Sequence, residues 1–125
     1  MNADKHRRIM TLTQTLLDKN DAARRQFVER TPREDYAPDF YGEVKPFADE
    51  VSRLLDEWKP LVIEWIRSEH PPYLHIKQIE DTYDNLMIVS VTAFQKDTRR
   101  RRFMNTIQSI DYVLRTILQA LNSDE

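Results

Sequence analysis

Hydrophobic residues recur at helical spacing along most of this chain. The clearest series lies near the C-terminus and consists of Phe103, Ile107, Ile110, Leu114, Ile117 and Leu121. A second series comprises Val44, Phe47, Val51, Leu54, Trp58, Leu61 and Trp65, and is widened by Leu55, Val62 and Ile66. Residues three or four apart share one face of an α-helix, so each series predicts an amphipathic helix with a buried stripe.

Two further series predict two more helices. One follows the order Ile76, Ile79, Tyr83, Leu86, Ser90 and then Ala93 or Phe94, and a weaker one comprises Ile9, Leu12, Leu16, Ala23 and Phe27. Short connections between consecutive helices make them antiparallel neighbours. The predicted fold is therefore all-α, an up-down-up-down antiparallel four-helix bundle that forms a single domain over residues 1–125.

Prolines and a capping residue place the boundaries of the first two helices. Thr31–Pro32 and Ala37–Pro38 end the first helix, because the residue before a proline is driven out of the α region. Asp39 is the predicted N-cap of the second helix. Pro46 and Pro60 fall at the start and inside that helix, where a proline removes a backbone hydrogen bond, so we expect the second helix to be kinked.

The third helix is bounded by a proline-rich stretch and by a polar segment. We expect His70–Tyr73 to close the second helix and His75 to open the third, with Gln78 three residues later completing an imperfect capping box. The third helix is predicted to end near Lys96. Eight consecutive polar residues separate the last two apolar series, and a turn near Asp97–Thr98 is favoured over one continuous helix.

Composition supports helices and excludes several kinds of site. One glycine and six prolines in 125 residues argue against a β fold rich in hairpins. The absence of cysteine excludes disulfides, thiolate metal sites and cysteine nucleophiles, and is typical of a reducing compartment. No apolar run has the length of a signal peptide or a membrane span. We therefore expect a cytoplasmic protein that is neither exported nor membrane-spanning.

The titratable residues do not form a recognisable catalytic or metal signature. Only His6, His70 and His75 are available, and they cannot supply a zinc-binding pair four residues apart on one helix. We expect no catalytic residues, no metal and no cofactor. Acidic residues of the third helix, Glu80, Asp81 and Asp84, can gather a magnesium ion as in all-α nucleotide pyrophosphatases, but the partner Glu-x-x-Glu pair is missing. A solvated acidic face explains the same carboxylates.

Aromatic residues leave two further alternatives. Trp58 and Trp65 lie seven residues apart on one helical face, and with Tyr83 they either line an apolar ligand pocket or are plain core. Tyr73 and His75 alternate with their neighbours in an extended stretch, so one pair of side chains there can fold over the end of the bundle. A structural plug is the simpler interpretation of that stretch.

The most conspicuous charge run is Arg99, Arg100, Arg101 and Arg102, at the predicted start of the fourth helix. The helix dipole disfavours each cation there by about 0.3 to 1 kcal/mol. Either ion pairs within the chain, the commoner role of such a run, or an external anion would offset that cost. Antiparallel threading brings basic and acidic residues to the same end: Arg24, Arg25, Arg30, Arg33, Glu29, Glu34, Asp35, Asp39 and Glu43. Other carboxylates lie toward the opposite end, namely Glu64, Glu69, Glu80, Asp81 and Asp84, so we expect an electrically polar molecule.

One block resembles a known family. The positions concerned are Pro71, Tyr73, Leu74, His75, Gln78, Ile79, Glu80, Asp84 and Asn85. They resemble the YppE-like family of small bacterial proteins of unknown function, and Asp39–Phe40, Lys45–Pro46 and Arg102–Phe103 agree with it. The resemblance extends from Asp39 to about Leu121. It implies a four-helix bundle in the bacterial cytoplasm, no assigned activity, and motif residues of unknown role, namely Tyr73, His75, Gln78, Glu80, Asp84 and Asn85.

Taken together, the sequence predicts a non-enzymatic binding or interaction module. Its partner is a protein or an anionic ligand held at the Arg99–Arg102 end, and a net charge of −2 makes nucleic acid an unlikely partner. The alternative is a small-ligand or nucleotide-handling bundle with an acidic site on the third helix. We expect no membrane partner, and a monomer or weak homodimer.

Overall fold

The computed structural model describes residues 3–123. Four α-helices account for most of them: α1 (Ala3–Arg25), α2 (Lys45–Glu69), α3 (Ile76–Thr92) and α4 (Arg100–Ser123). No strand occurs in this part of the chain. The prediction of an all-α protein with four helices is confirmed.

The helices form an antiparallel bundle. Helix α1 packs against α2 and α4, and α3 packs against the same two helices. Ion pairs show the direction, since Lys5 near the start of α1 contacts Glu64 and Lys19 near its end contacts Glu50. Residue numbers thus rise along α1 as they fall along α2, which is the predicted up-down arrangement.

The core follows the predicted stripes closely in α4 and less closely in α2. All six members of the C-terminal series are buried. In α2 the buried positions centre on Val51, Leu55, Trp58, Val62 and Trp65. Its other predicted members Phe47, Leu54 and Leu61 are only partly buried. A strict seven-residue repeat drifts around a straight helix with 3.6 residues per turn, so part of the series leaves the buried face.

Two π-helical turns flank the loop between α1 and α2, at the end of the bundle where α4 begins. Helix α1 continues as a turn over Gln26–Arg30, and a second turn over Phe40–Val44 leads into α2. Their backbone bonds span five residues, from Thr31 N to Gln26 O at 2.9 Å and from Val44 N to Asp39 O at 3.1 Å. Periodicity alone did not predict this widened geometry.

Asp39 caps the second turn as predicted. Its side chain accepts a hydrogen bond from Gly42 N at 3.0 Å. A Cβ atom at Gly42 would lie 2.3 Å from Asp39 Oδ2, so a larger residue there would displace the capping carboxylate. The cap and the glycine together fix how the chain enters α2.

The remaining boundaries agree with the sequence, with one shift. His75 precedes α3, and its N–H donates to Gln78 Oε1 at 2.8 Å, as the capping box predicted. Helix α3 ends at Thr92, earlier than the predicted end near Lys96. The backbone bonds tighten to a three-residue spacing there, from Phe94 N to Val91 O and from Gln95 N to Thr92 O, both 3.1 Å, and Thr98 Oγ1 also donates to Thr92 O at 2.7 Å. The predicted turn at Asp97–Thr98 lies in this connection.

The prolines of α2 differ in their effect. Pro46 lies at the start of α2, directly after the π-helical turn over Phe40–Val44. Pro60 lies inside α2, which continues without interruption to Glu69. The kink expected from Pro60 stays a prediction.

Among the helices of residues 3–123, none combines the length and apolar character required to cross a membrane.

Candidate functional site

The arginine run occupies the start of α4, as predicted. Arg100, Arg101 and Arg102 form its first turn and Arg99 precedes it, and all four side chains are exposed. Within residues 3–123, none of these four side chains forms an ion pair or a hydrogen bond. The four side chains therefore face solvent, and Arg99 and Arg102, three residues apart, line one groove.

Three other arginines at this end do have partners. Arg24 and Arg25 both pair with Asp21 on α1, at 3.1 and 3.0 Å. Arg30 pairs with Glu43 at 2.9 Å. Ion pairs within the described part of the chain thus involve the arginines of α1 and its extension, and leave the run on α4 without a carboxylate partner.

A groove runs between α3 and α4 beside the arginine run. Its volume is about 540 Å³, and its lining includes Asn85, Ile88, Thr92, Arg99 and Arg102. Ile88 is 56% exposed, although it is a large aliphatic residue in the middle of a helix. The sequence analysis did not single out Ile88. The signal present in the sequence was that this aliphatic residue lies outside the apolar stripe of α3.

The family-motif residues do not gather into one site. His75 and Gln78 act as the start of α3, whereas Asn85 is half-buried in the groove. Tyr73 is 78% exposed and Leu74 only 5% exposed. The plug predicted for this stretch is therefore Leu74, whereas Tyr73 and His75 are exposed. The extended conformation expected here is wrong at Tyr73, whose φ of 66° lies in the left-handed region.

The acidic residues of α3 lie on its outer face. Glu80, Asp81 and Asp84 are all exposed, and Asp81 pairs with Lys77 at 3.2 Å. In residues 3–123 no group of three or more potential ligands is arranged to hold a metal ion. This arrangement is that of a solvated surface.

The three aromatic residues singled out from the sequence have separate environments. Trp58 is fully buried and its Nε1 donates to Thr13 Oγ1 at 3.0 Å. Tyr83 is half-buried, and the hydrogen bond from its hydroxyl to Asp56, at 2.7 Å, raises the pKa of Tyr83. These residues belong to the core and its edge, and they do not line one common pocket.

Trp65 adjoins a second cavity, at the opposite end of the bundle. The cavity has a volume of about 760 Å³ and is also lined by His6, Glu69 and Tyr73. The Trp65 indole N–H is buried and makes no hydrogen bond. His6 Nε2 lies 2.9 Å from Glu69 Oε2, and this contact holds the pKa of Glu69 below its usual range. Periodicity could not reveal a cavity assembled from separate helices and a loop.

Comparison with known proteins connects this geometry to a bacterial family. A family model described as "Bacterial domain of unknown function (DUF1798)" matches residues 13–121. The chain is 26% identical over 83 residues to "Uncharacterized protein YppE" of Bacillus subtilis (strain 168), covering 66% of this chain and 68% of that protein.

Solved structures are similar over nearly the whole chain. A protein of unknown function from Listeria innocua shares 29% sequence identity, with a TM-score of 0.89 and coverage of 96% of this chain and 95% of that one. A DUF1798 domain from Staphylococcus aureus shares 27% identity, with a TM-score of 0.81 and coverage of 90% and 95%. The crystal structure of YppE from Bacillus subtilis, at 19% identity, has a TM-score of 0.88 with coverage of 99% and 98%, and shows the shared fold.

Proposed function

We propose that this chain, which belongs to the bacterial DUF1798 family of unknown function, is a non-enzymatic binding module. The family membership confirms the resemblance to YppE-like proteins that the Pro71–Asn85 block indicated. The partner in this proposal is an acidic protein or an anionic ligand, and the binding surface is the Arg99–Arg102 end of the bundle.

The observation that carries the proposal is the arrangement of four exposed arginines without carboxylate partners at the start of α4. Their mutual repulsion and the positive end of the helix dipole both disfavour this arrangement in the isolated protein. An anion placed there relieves both effects. Guanidinium groups also form bidentate, charge-assisted hydrogen bonds with carboxylate or phosphate oxygens.

The alternative function is less well supported. A small-ligand or nucleotide-handling bundle with an acidic site on α3 needs carboxylates that face inward beside a cavity. Glu80 and Asp84 point to solvent instead. The net charge of −2 also gives no general attraction for nucleic acid, so an oligonucleotide is not the proposed partner.

The test compares two variants that remove the same positive charge. One replaces Arg99, Arg100, Arg101 and Arg102 by Ser. The control replaces four exposed arginines elsewhere by Ser, namely Arg7, Arg53, Arg67 and Arg115. Fluorescence anisotropy with a labelled poly-glutamate peptide measures binding, and thermal melts measure stability.

We expect the wild type and the control variant to bind the peptide, and binding to weaken as salt is raised. The α4 variant should lose binding while its melting temperature stays the same or rises slightly, because cations leave a helix N-terminus. A lowered melting temperature of the α4 variant, with no binding in any form of the protein, would show that the arginines are structural and would refute the proposal.

A further inference from the structure

The groove between α3 and α4 continues the arginine surface along the side of the bundle. Asn85, Ile88 and Thr92 follow one another at spacings of three and four along α3, so they share one face of the helix. The distance from Asn85 to Thr92 along the helix axis is about 10 Å. Arg99 and Arg102 line the groove together with these residues.

The apolar part of the groove consists of one exposed side chain over a buried floor. Ile88 is 56% exposed, whereas Val89 and Phe103 below it are 1% and 3% exposed. An aliphatic side chain resting on Ile88 would remove apolar surface from water on both partners. The groove therefore combines an apolar contact with two cationic groups that have no carboxylate partner in residues 3–123.

The polar groups of the groove differ in their availability. The hydroxyls of Thr92, Thr98 and Thr106 each donate to a backbone carbonyl of the bundle. The side-chain amides of Asn85 and Gln95 make no hydrogen bond within residues 3–123. Besides the arginines, these amides are the donors that a ligand can reach, and Asp97 is the one carboxylate of the lining.

The exposed aliphatic residue and the two arginines of the groove fit a protein segment better than a nucleic acid. Single-stranded nucleic acids bind through aromatic side chains that stack on bases, and the one aromatic residue of the lining, Phe103, is buried. A carboxylate can pair with Arg99 and Arg102, whereas Ile88 needs an apolar partner. Both kinds of group lie on one face of a helix when they are three or four residues apart.

We infer that the α3–α4 groove binds an acidic amphipathic helix of a partner protein. In this assignment an aliphatic residue of the partner packs on Ile88, and a carboxylate one turn further along pairs with Arg99 and Arg102. The inference rests on the proposed function, because it names the partner of the same arginine surface. The inference adds that the partner must also supply an aliphatic side chain to contact Ile88, which a simple anion cannot do.

The experiment uses two synthetic helical peptides of identical composition and charge. In the first, Leu and Glu lie four residues apart on one face; in the second, the Leu residues are scattered around the helix. Poly-glutamate, inorganic phosphate and a single-stranded oligonucleotide are the comparison ligands. Binding is measured by fluorescence anisotropy, and amide chemical shifts in NMR spectra locate the contact surface.

Two pairs of variants separate the apolar from the ionic contribution. Ile88→Ser is matched by Tyr112→Ser, which removes an apolar side chain that is 62% exposed outside the groove. Arg99→Ser with Arg102→Ser is matched by Arg53→Ser with Arg67→Ser. Thermal melts confirm that each variant remains folded.

We expect the amphipathic peptide to bind more tightly than the scattered one and to shift amide signals of Asn85, Ile88 and Thr92. Ile88→Ser should raise its Kd about fivefold, and the double variant of Arg99 and Arg102 should raise it about tenfold or more. The two controls should leave the Kd unchanged.

The outcomes distinguish the two proposals. If binding requires the arginines but is indifferent to Ile88→Ser and to the position of Leu in the peptide, the groove inference is wrong and the anion-binding function stands. Tighter binding of the oligonucleotide or of phosphate than of the amphipathic peptide would also overturn the inference. If neither the acidic peptides nor phosphate nor the oligonucleotide binds, both proposals are refuted.

Discussion

Tyr36 shows how a single residue in the loop between α1 and α2 is held by its surroundings. Its hydroxyl donates to Glu43 Oε1 at 2.5 Å, and Glu43 also pairs with Arg30. Lys96 lies 6.0 Å from the centre of the Tyr36 ring. Partial burial and the hydrogen bond to Glu43 raise the pKa of Tyr36 to about 12.

This raised pKa predicts a loss of stability at high pH. The folded state favours the protonated phenol, so the stabilisation is complete below the ordinary pKa of 10.0 and disappears as pH rises towards about 12. Urea denaturation across this range should show a steeper fall in the free energy of unfolding for the wild type than for Tyr36→Phe. Parallel curves for the two proteins would contradict the prediction.

The α4 helix illustrates the difference between a buried and an exposed position on one element. Leu114 is fully buried, whereas Tyr112 is 62% exposed. Leu114→Ala should lower the free energy of unfolding by about 2 to 5 kcal/mol because it leaves a cavity in the core. Tyr112→Ala should change it by about 0.5 kcal/mol or less. Chemical denaturation of both variants measures the two changes in the free energy of unfolding. A decrease of less than about 0.5 kcal/mol for Leu114→Ala would mean that the apolar stripe of α4 does not form the core.

The α2 helix contains an internal proline whose replacement is also informative. Pro60 is exposed and cannot donate the backbone hydrogen bond of a helix interior. Pro60→Ala should therefore raise the free energy of unfolding, by about 1 to 3 kcal/mol after allowing for the more flexible unfolded chain. Pro46→Ala, at the start of α2 just after the π-helical turn, is the comparison variant and should have a smaller effect. Destabilisation by Pro60→Ala would show that the packing of α2 depends on the kink that the proline imposes.

At the scale of the whole molecule, the distribution of ligating residues predicts the absence of a tight metal site. The chain has no cysteine and three histidines, and residues 3–123 contain no cluster of potential ligands. Elemental analysis of protein without a histidine tag should find no stoichiometric zinc, iron or manganese. Stoichiometric metal that survives dialysis against a chelator would refute this prediction and reopen the enzyme alternatives.

The basic and acidic side chains of the whole molecule are only partly separated between the two ends of the bundle. The sequence predicts arginines at one end and carboxylates towards the other, and Arg99–Arg102 do lie together. The rest of the arginine end is more balanced than expected, since Asp21 and Glu43 neutralise their neighbours on α1 and its extension. The binding proposal consequently depends on four residues and not on the whole end.

The sequence by itself determined the helices, because the buried stripe and the capping residues act over only a few positions. The spacing from Phe103 to Leu121, the cap at Asp39 and the pair His75–Gln78 all encode local structure. The arginine run could likewise be identified, and its place at the start of α4 predicted, from neighbouring residues alone.

Only the tertiary structure decided which of these residues meet. Thr31 Oγ1 donates to Ala93 O, a residue 62 positions away in sequence, and no local sequence pattern predicts that bond. The exposure of Ile88, the groove beside it and the absence of an ion pair to Arg99–Arg102 within residues 3–123 depend in the same way on how the helices rotate about their axes. Such rotation is set by packing between helices, which periodicity within one helix specifies only to within part of a turn.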